Sequence, residues 1–78
     1  MNTHNKAAIE EGIRKREQVV AFIDGFIAEH GYPPTIDEIA ADLGVIHKSA
    51  AKHVNKLIEQ GRLTKGPGPR TLRIVDTH

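Results

Sequence analysis

The chain has 78 residues, of which 38% are hydrophobic and 27% are charged, a composition typical of one small globular domain. It contains no cysteine, which excludes disulfides, cysteine-ligated zinc and thiol catalysis. No apolar run approaches the roughly 20 residues of a membrane-spanning helix, and no apolar signal region opens the sequence, so we expect a cytoplasmic protein with no membrane partner.

The net charge of +1 conceals an uneven distribution along the chain. Residues 31–46 contain three acidic residues and no Lys or Arg, whereas residues 47–78 contain seven Lys or Arg and two acidic residues, a net charge of +5. A concentrated basic region attracts polyanions more strongly than the charge of the whole chain suggests. The C-terminal half is therefore predicted to carry the interface.

The first predicted element is a long helix from about Ile13 to His30. Residues 1–12 before it are polar and interrupted by Gly12, which predicts an N-terminal arm or a short separate helix. Apolar residues then recur at helical spacing and predict a wide buried face; they are Ile13, Val19, Val20, Phe22, Ile23, Phe26 and Ile27. Gly31 is expected to end the helix in a left-handed conformation.

A short second helix is predicted over residues 36–43. Pro33 and Pro34 prevent the first helix from continuing. Thr35 and Glu38 then stand at the spacing of a capping box, and Gly44 marks the end of the helix. After a turn of about four residues, a third helix is predicted from His47 or Lys48 to Gly61.

The rest of the chain predicts a β-hairpin. The segments RLTK and RTLRIV are short and rich in apolar or β-branched residues, and the GPGP between them is typical of a turn. Leu63, Leu72 and Ile74 are expected to face the helices, and residues 76–78 form a tail.

Three helices followed by a hairpin form a winged helix-turn-helix domain, which is mainly α with a small two-stranded wing. Gly44 stands at the bend between the second and third helices, and Val45 is placed to fill the gap between them. Lys48, Lys52 and Lys56 recur every four residues of the third helix, so their like charges repel one another. A helix of this kind can enter the major groove of double-stranded DNA, where the lysines are expected to meet the flanking phosphates instead of one another.

Residues 13–75, and above all the run GYPPTIDEIAADLG, resemble the DNA-binding domain of LexA repressors. The resemblance implies a sequence-specific transcriptional repressor whose third helix reads the major groove and whose wing touches the DNA backbone or the minor groove. By position, the expected DNA-binding residues are Lys48, Ser49, Ala51, Lys52, Asn55, Lys56, Arg70 and Arg73. We expect these basic side chains to converge on one exposed surface.

Several of these residues have more than one predicted role. Lys48 and Lys52 suit phosphate or guanine contacts. Asn55 suits an adenine or a phosphate contact, or plain exposure. Arg70 and Arg73 suit a minor-groove or phosphate contact, or act only as charges at the strand edge.

The chain departs from the LexA pattern in two ways. Ile46 stands where many such domains have a Ser or Thr that caps the third helix, which leaves His47 or Ser49 as substitute caps. The self-cleaving peptidase domain of LexA repressors has no counterpart in these residues, so self-cleavage is not predicted. A free-standing small regulator and an excised domain both remain open.

No catalytic, cofactor or metal site is predicted. Asp37 and Glu38 are explained by their place at a helix start and have no nucleophile beside them, and we expect His47 and His53, six residues apart, to have no carboxylate partner nearby. A homodimer, or cooperative binding to two half-sites through the first helix or residues 1–12, is predicted from size alone. The alternative function is a winged-helix protein-interaction module that binds a host repressor or a polymerase.

Overall fold

The computed structural model describes residues 3–75, and the side chains of residues 9–75. It contains three helices and one antiparallel hairpin: α1 (Thr3–His30), α2 (Ile36–Leu43), α3 (His47–Glu59), β1 (Leu63–Lys65) and β2 (Leu72–Ile74). This order confirms the predicted winged helix-turn-helix fold. The tail predicted at residues 76–78 lies outside the described residues.

The core forms where the three helices meet the hairpin. Its buried residues are Val19 and Ile23 of α1, Ile39 and Ala40 of α2, Ala50, Val54 and Leu57 of α3, and Leu63 and Leu72 of the hairpin. All of them are aliphatic, so burial of apolar surface stabilises the packing of every element against the others. Ile74, expected to face the helices, packs against this core from a partly buried position.

α1 begins ten residues earlier than predicted and passes through Gly12 without a break. The predicted interruption at Gly12 is wrong, because glycine inside a helix costs only about 1 kcal/mol relative to alanine and does not oblige the helix to end. The buried face is also narrower than predicted. Ile13 is 49% exposed, and the first fully buried residue of α1 is Val19. A separate role for residues 1–12 stays a prediction.

α2 begins and ends as predicted. Thr35 Oγ1 accepts the backbone N–H of Glu38 at 3.2 Å, and the Thr35 N–H donates to Glu38 Oε1 at 2.8 Å, which completes the capping box. Gly44 follows the helix in the left-handed region with φ 70°, where glycine is favoured. Val45 then packs against the core, which confirms its predicted place between α2 and α3.

The start of α3 has no side-chain cap. Ile46 occupies the capping position with an extended backbone and a side chain that is 69% exposed, and its side chain makes no capping hydrogen bond. His47, one of the two proposed substitutes, is directed elsewhere: its Nδ1 lies 2.5 Å from Asp37 Oδ1 in α2. The expectation that His47 has no carboxylate partner nearby is therefore wrong, because the turn between the helices brings the start of α3 beside the start of α2. The N–H groups of Ser49 and Ala50 donate to the carbonyl oxygen of Ile46 at 3.1 Å each, so the first two N–H groups of α3, those of His47 and Lys48, have no acceptor among the described residues and depend on solvent.

We expect Ile46→Ser to stabilise the domain by about 0.5–2 kcal/mol, because a serine hydroxyl at this position accepts an otherwise unpaired N–H of α3. Little burial is lost, since Ile46 is largely exposed. Urea denaturation followed by circular dichroism measures the gain, with Ile46→Ala as the control that shortens the side chain without adding an acceptor. Equal stability of the Ser and Ala variants would contradict the assignment of the cap.

The hairpin pairs Leu63 with Ile74, Thr64 with Arg73 and Lys65 with Leu72. Because side chains alternate along a strand, this register turns Leu63 and Leu72 into the core and leaves Arg73 exposed. The base of the hairpin is tied to α1, since Arg62 Nη1 donates to Glu17 Oε2 at 2.5 Å. This hydrogen bond lowers the pKa of Glu17.

Candidate nucleic-acid interface

Six of the eight predicted DNA-binding residues line one cleft on the outer side of α3. They are Lys48, Ser49, Ala51, Lys52, Asn55 and Lys56, and we call this surface the α3 cleft. The opposite side of the same helix is apolar and buried in the core. α3 therefore presents a polar, basic surface to solvent, and the core fixes its orientation.

The lysines of the α3 cleft are largely available to a ligand. Among the described residues, Lys48 and Lys52 form no ion pair, and Lys56 lies 3.9 Å from Glu59 across one turn of the helix. Ser49 and Ala51 are partly buried and have short side chains, so an incoming surface can approach the helix backbone closely. This combination suits a phosphate-rich partner.

α1 contributes residues to the α3 cleft that were not predicted from the sequence. Gly12 and Arg16 line it together with His53. An added Cβ at Gly12 would lie 3.1 Å from Arg16 Nη1, so the guanidinium lies close against this turn of α1. The run RKR at residues 14–16 was a signal for this cation, but only the packing of α1 beside α3 shows which surface it joins.

His53 lies partly buried at the edge of the α3 cleft. Burial lowers the pKa of its imidazole from the ordinary value of 6.5, and the positive charges of Arg16, Lys15 and Lys52 lower it further. The folded protein therefore favours the neutral ring. The same charges make this end of the cleft strongly attractive to an anion.

We expect acid to destabilise the wild-type domain more than a His53→Gln variant. Because the pKa of His53 is lower in the folded state, the unfolded chain binds more protons, and stability falls as the pH drops below about 6.5. Urea midpoints at about pH 7.5 and about pH 5.5 measure the effect for each protein. A fall of the same size in both proteins would show that His53 does not contribute.

The two predicted wing residues lie apart from the α3 cleft. Arg70 and Arg73 line a second cleft between the wing and the end of α1, together with Tyr32 and Lys65, and we call it the wing cleft. The expected single surface is thus divided between two clefts. Lys65 and Arg70 also line a space that contains His47 at the start of α3.

The guanidinium of Arg70 binds other residues of the protein. Its Nη1 and Nη2 each lie 2.9 Å from one carboxylate oxygen of Glu38, and Nη1 also donates to the carbonyl oxygen of Pro33 at 3.3 Å. The guanidinium carbon lies 4.9 Å from the ring centroid of Tyr32. Arg73, by contrast, is exposed and forms no ion pair among the described residues.

Phe26 belongs to this same region instead of the core that the sequence predicted. Its ring centroid lies 4.3 Å from that of His30 and 5.8 Å from that of Tyr32. Helical spacing put Phe26 on the predicted buried face of α1. In the structure, the turn at Gly31 brings the ring of Tyr32 against the ring of Phe26. Phe22 does pack against the core, from a partly buried position.

Within residues 3–75, no helix has the length and hydropathy that crossing a membrane requires. The same part of the chain contains no group of three or more His, Asp or Glu arranged to hold a metal ion.

Comparison with known proteins points to one family. The model of the LexA DNA-binding domain matches residues 12–71. LexA repressor 1 of Geobacter sulfurreducens is 45% identical over 58 residues, which cover 73% of this chain and 29% of the repressor. The LexA repressor of Limosilactobacillus reuteri is 42% identical over 63 residues, 78% of this chain and 30% of that protein. The chain thus spans less than a third of the length of these relatives.

Proposed function

Because the chain belongs to the LexA DNA-binding domain family, we propose that it is a sequence-specific double-stranded DNA-binding protein that represses transcription in the cytoplasm. The observation that carries this proposal is the α3 cleft, where three lysines and Asn55 stand on the solvent side of a helix whose other side is core. In an interface of this kind, cationic side chains attract DNA phosphates and polar side chains contact base edges. Neither contact needs a cofactor or a catalytic group.

In the proposed complex, α3 enters the major groove. Ser49 and Ala51 permit close approach, while Lys48, Lys52 and Asn55 reach base edges or phosphates. Lys56, one helical turn after Lys52, contacts the DNA backbone. The repulsion between the lysines of α3 is relieved when phosphates take the place of water around them.

Two further elements extend the proposed interface. Arg16 of α1 lines the α3 cleft and supplies a phosphate contact from outside the helix-turn-helix. Arg73 and Lys65 of the wing reach the DNA backbone, or the minor groove next to the major groove that α3 occupies. Lys65 supports this arrangement, because it shares a space with His47 at the start of α3.

We propose that two copies bind two half-sites. One module of this size buries only about 600–1,000 Å² on DNA, so pairing is a common route to specific affinity. Ile9 and Ile13 support α1 as the contact between copies, since they lie one turn apart and are 61% and 49% exposed. A single half-site bound with a stoichiometry of one would contradict this arrangement.

Selection of bound duplexes from a random library, using the full chain, tests the function. We expect an enriched motif made of two half-sites whose centres are about 10–10.5 base pairs apart, or a multiple of that. The logarithm of the binding constant for a selected duplex should fall steeply with the logarithm of the salt concentration, with a slope near −0.9 per neutralised phosphate of B-DNA. Absence of a motif together with weak salt dependence would favour the protein-interaction module instead.

A further inference from the structure

The side chain of Arg70 links the wing to α2. Arg70 lies in the loop between β1 and β2, and its guanidinium forms a two-pronged ion pair with Glu38, 32 residues earlier in the chain. Paired hydrogen bonds of this kind fix both the distance and the angle between their partners. Tyr32 covers the guanidinium at 4.9 Å, and the carbonyl oxygen of Pro33 accepts a third hydrogen bond.

The backbone of Arg70 adapts to this contact. Its φ of 56° lies in the left-handed region, where among the described residues it is the only one that is not glycine. A residue with a side chain holds such a conformation when the surrounding contacts impose it. Thr71 stabilises the loop beside it, because its single hydroxyl hydrogen is shared between the carbonyl oxygens of Gly66 and Gly68, each 2.9 Å from Oγ1.

Glu38 connects this contact to the helix-turn-helix. It is the third residue of α2 and closes the capping box with Thr35, so its carboxylate has a fixed place at the start of that helix. α2 is in turn held against α3 by the His47–Asp37 contact and by the packing of Val45. A continuous series of contacts therefore runs from α3 through α2 to the wing.

We propose that Arg70 is a positioning residue, which holds the wing against α2 so that Arg73 and Lys65 meet the same DNA duplex as α3. This inference rests on the proposed function. It gives Arg70 a role different from the direct DNA contact that its place in the sequence suggests. The contacts to Glu38 and Pro33 use three of the five N–H groups of Arg70, so a phosphate would compete with Glu38 for this guanidinium.

Substitutions of the two partners separate positioning from direct contact. Glu38→Gln removes the ion pair but preserves the capping box, because glutamine also serves at this position. Arg70→Lys keeps the positive charge but loses the flat two-pronged geometry. If Arg70 contacts phosphate directly, the lysine variant binds nearly normally, and Glu38→Gln strengthens binding because it removes a negative charge near DNA.

If Arg70 positions the wing, both substitutions weaken binding of a duplex recovered by the selection. We expect a loss of about tenfold for each, the size of one lost base or backbone contact, and no further loss when the two are combined. Because a displaced wing takes Arg73 and Lys65 away from phosphate, the salt slope of the Arg70→Lys variant should fall by about one, whereas a direct contact by Arg70 would leave the slope of the lysine variant unchanged. Asp42→Asn is the matched control, since it removes one exposed acid of α2 that makes no contact with the wing.

Hydrogen exchange of the free protein gives a second readout that does not depend on DNA. We expect backbone amides of residues 63–65 and 72–74 to exchange several-fold faster in both variants, with amides of the three helices unchanged. Unchanged exchange in the wing overturns the inference, whether or not the wild type binds DNA. Failure of the wild type to bind any duplex overturns the proposed function instead, and the exchange data still decide the role of Arg70.

Discussion

Lys52→Glu is expected to abolish specific DNA binding while the domain stays folded. Lys52 lies on the exposed side of α3, lines the α3 cleft, and has no ion-pair partner among the described residues. The substitution removes one cation and places a carboxylate where the proposed complex has phosphate or a base edge. Because one good base contact contributes about 1–3 kcal/mol, its loss combined with repulsion raises the Kd by about 100-fold or more.

Fluorescence anisotropy with a duplex from the selection measures this loss, and circular dichroism checks that the fold is retained. Arg14→Glu is the matched control, since it makes the same change of charge on α1 in a cleft that contains no α3 residue; the two variants are compared on a single half-site, where the proposed contact between copies near Ile13 does not contribute. The milder Lys52→Gln separates the two roles of the lysine. Loss of a phosphate contact reduces the salt slope by about one, whereas loss of a base contact relaxes the sequence preference at one position. Normal binding by Lys52→Glu would show that α3 is wrongly oriented in the proposed complex.

Leu57→Ala is expected to cost the domain about 2–5 kcal/mol of its free energy of unfolding, as other large-to-small core substitutions do. Leu57 is fully buried on the inner side of α3, and α3 packs against α1, α2 and β1. A domain of this length has a total stability of about 4–12 kcal/mol, so the variant loses a large part of it. Urea denaturation should show a lower midpoint with little change in the slope of the transition.

Two controls test whether the loss comes from the cavity. Leu57→Met conserves most of the volume and should cost less than about 1.5 kcal/mol. Lys56→Ala changes the neighbouring residue on the exposed side of α3 and should change stability by no more than about 0.5 kcal/mol. A loss below about 1 kcal/mol for Leu57→Ala would mean that α3 is not anchored through this residue.

The parts of the fold that the sequence predicted well are those that local interactions determine. The limits of α2 follow from Thr35, Glu38 and Gly44, which lie within ten residues of one another and act on adjacent backbone groups. The hairpin likewise follows from two short apolar segments on either side of a proline and glycine turn. The limits of α1 were harder to predict, because a glycine permits a helix to continue as well as to end.

The parts that the sequence did not predict depend on contacts between distant residues. Periodicity shows that the lysines of α3 share one side of a helix, but it does not show that Arg16 of α1 joins them. Arg70 was expected at the DNA because it is basic and lies in the wing. Its engagement with Glu38 and Tyr32 became visible only once the wing, α2 and the end of α1 were placed together.

Gly12 affects both the rigidity of α1 and the position of the Arg16 guanidinium. Alanine at this position would favour the helix by about 1 kcal/mol, but its methyl group would crowd the Arg16 guanidinium, which would lie 3.1 Å away. The flexible end of that side chain would have to shift outward by a few tenths of an ångström. A substitution chosen only to make the protein more heat-resistant would thus also move the Arg16 guanidinium slightly beside α3.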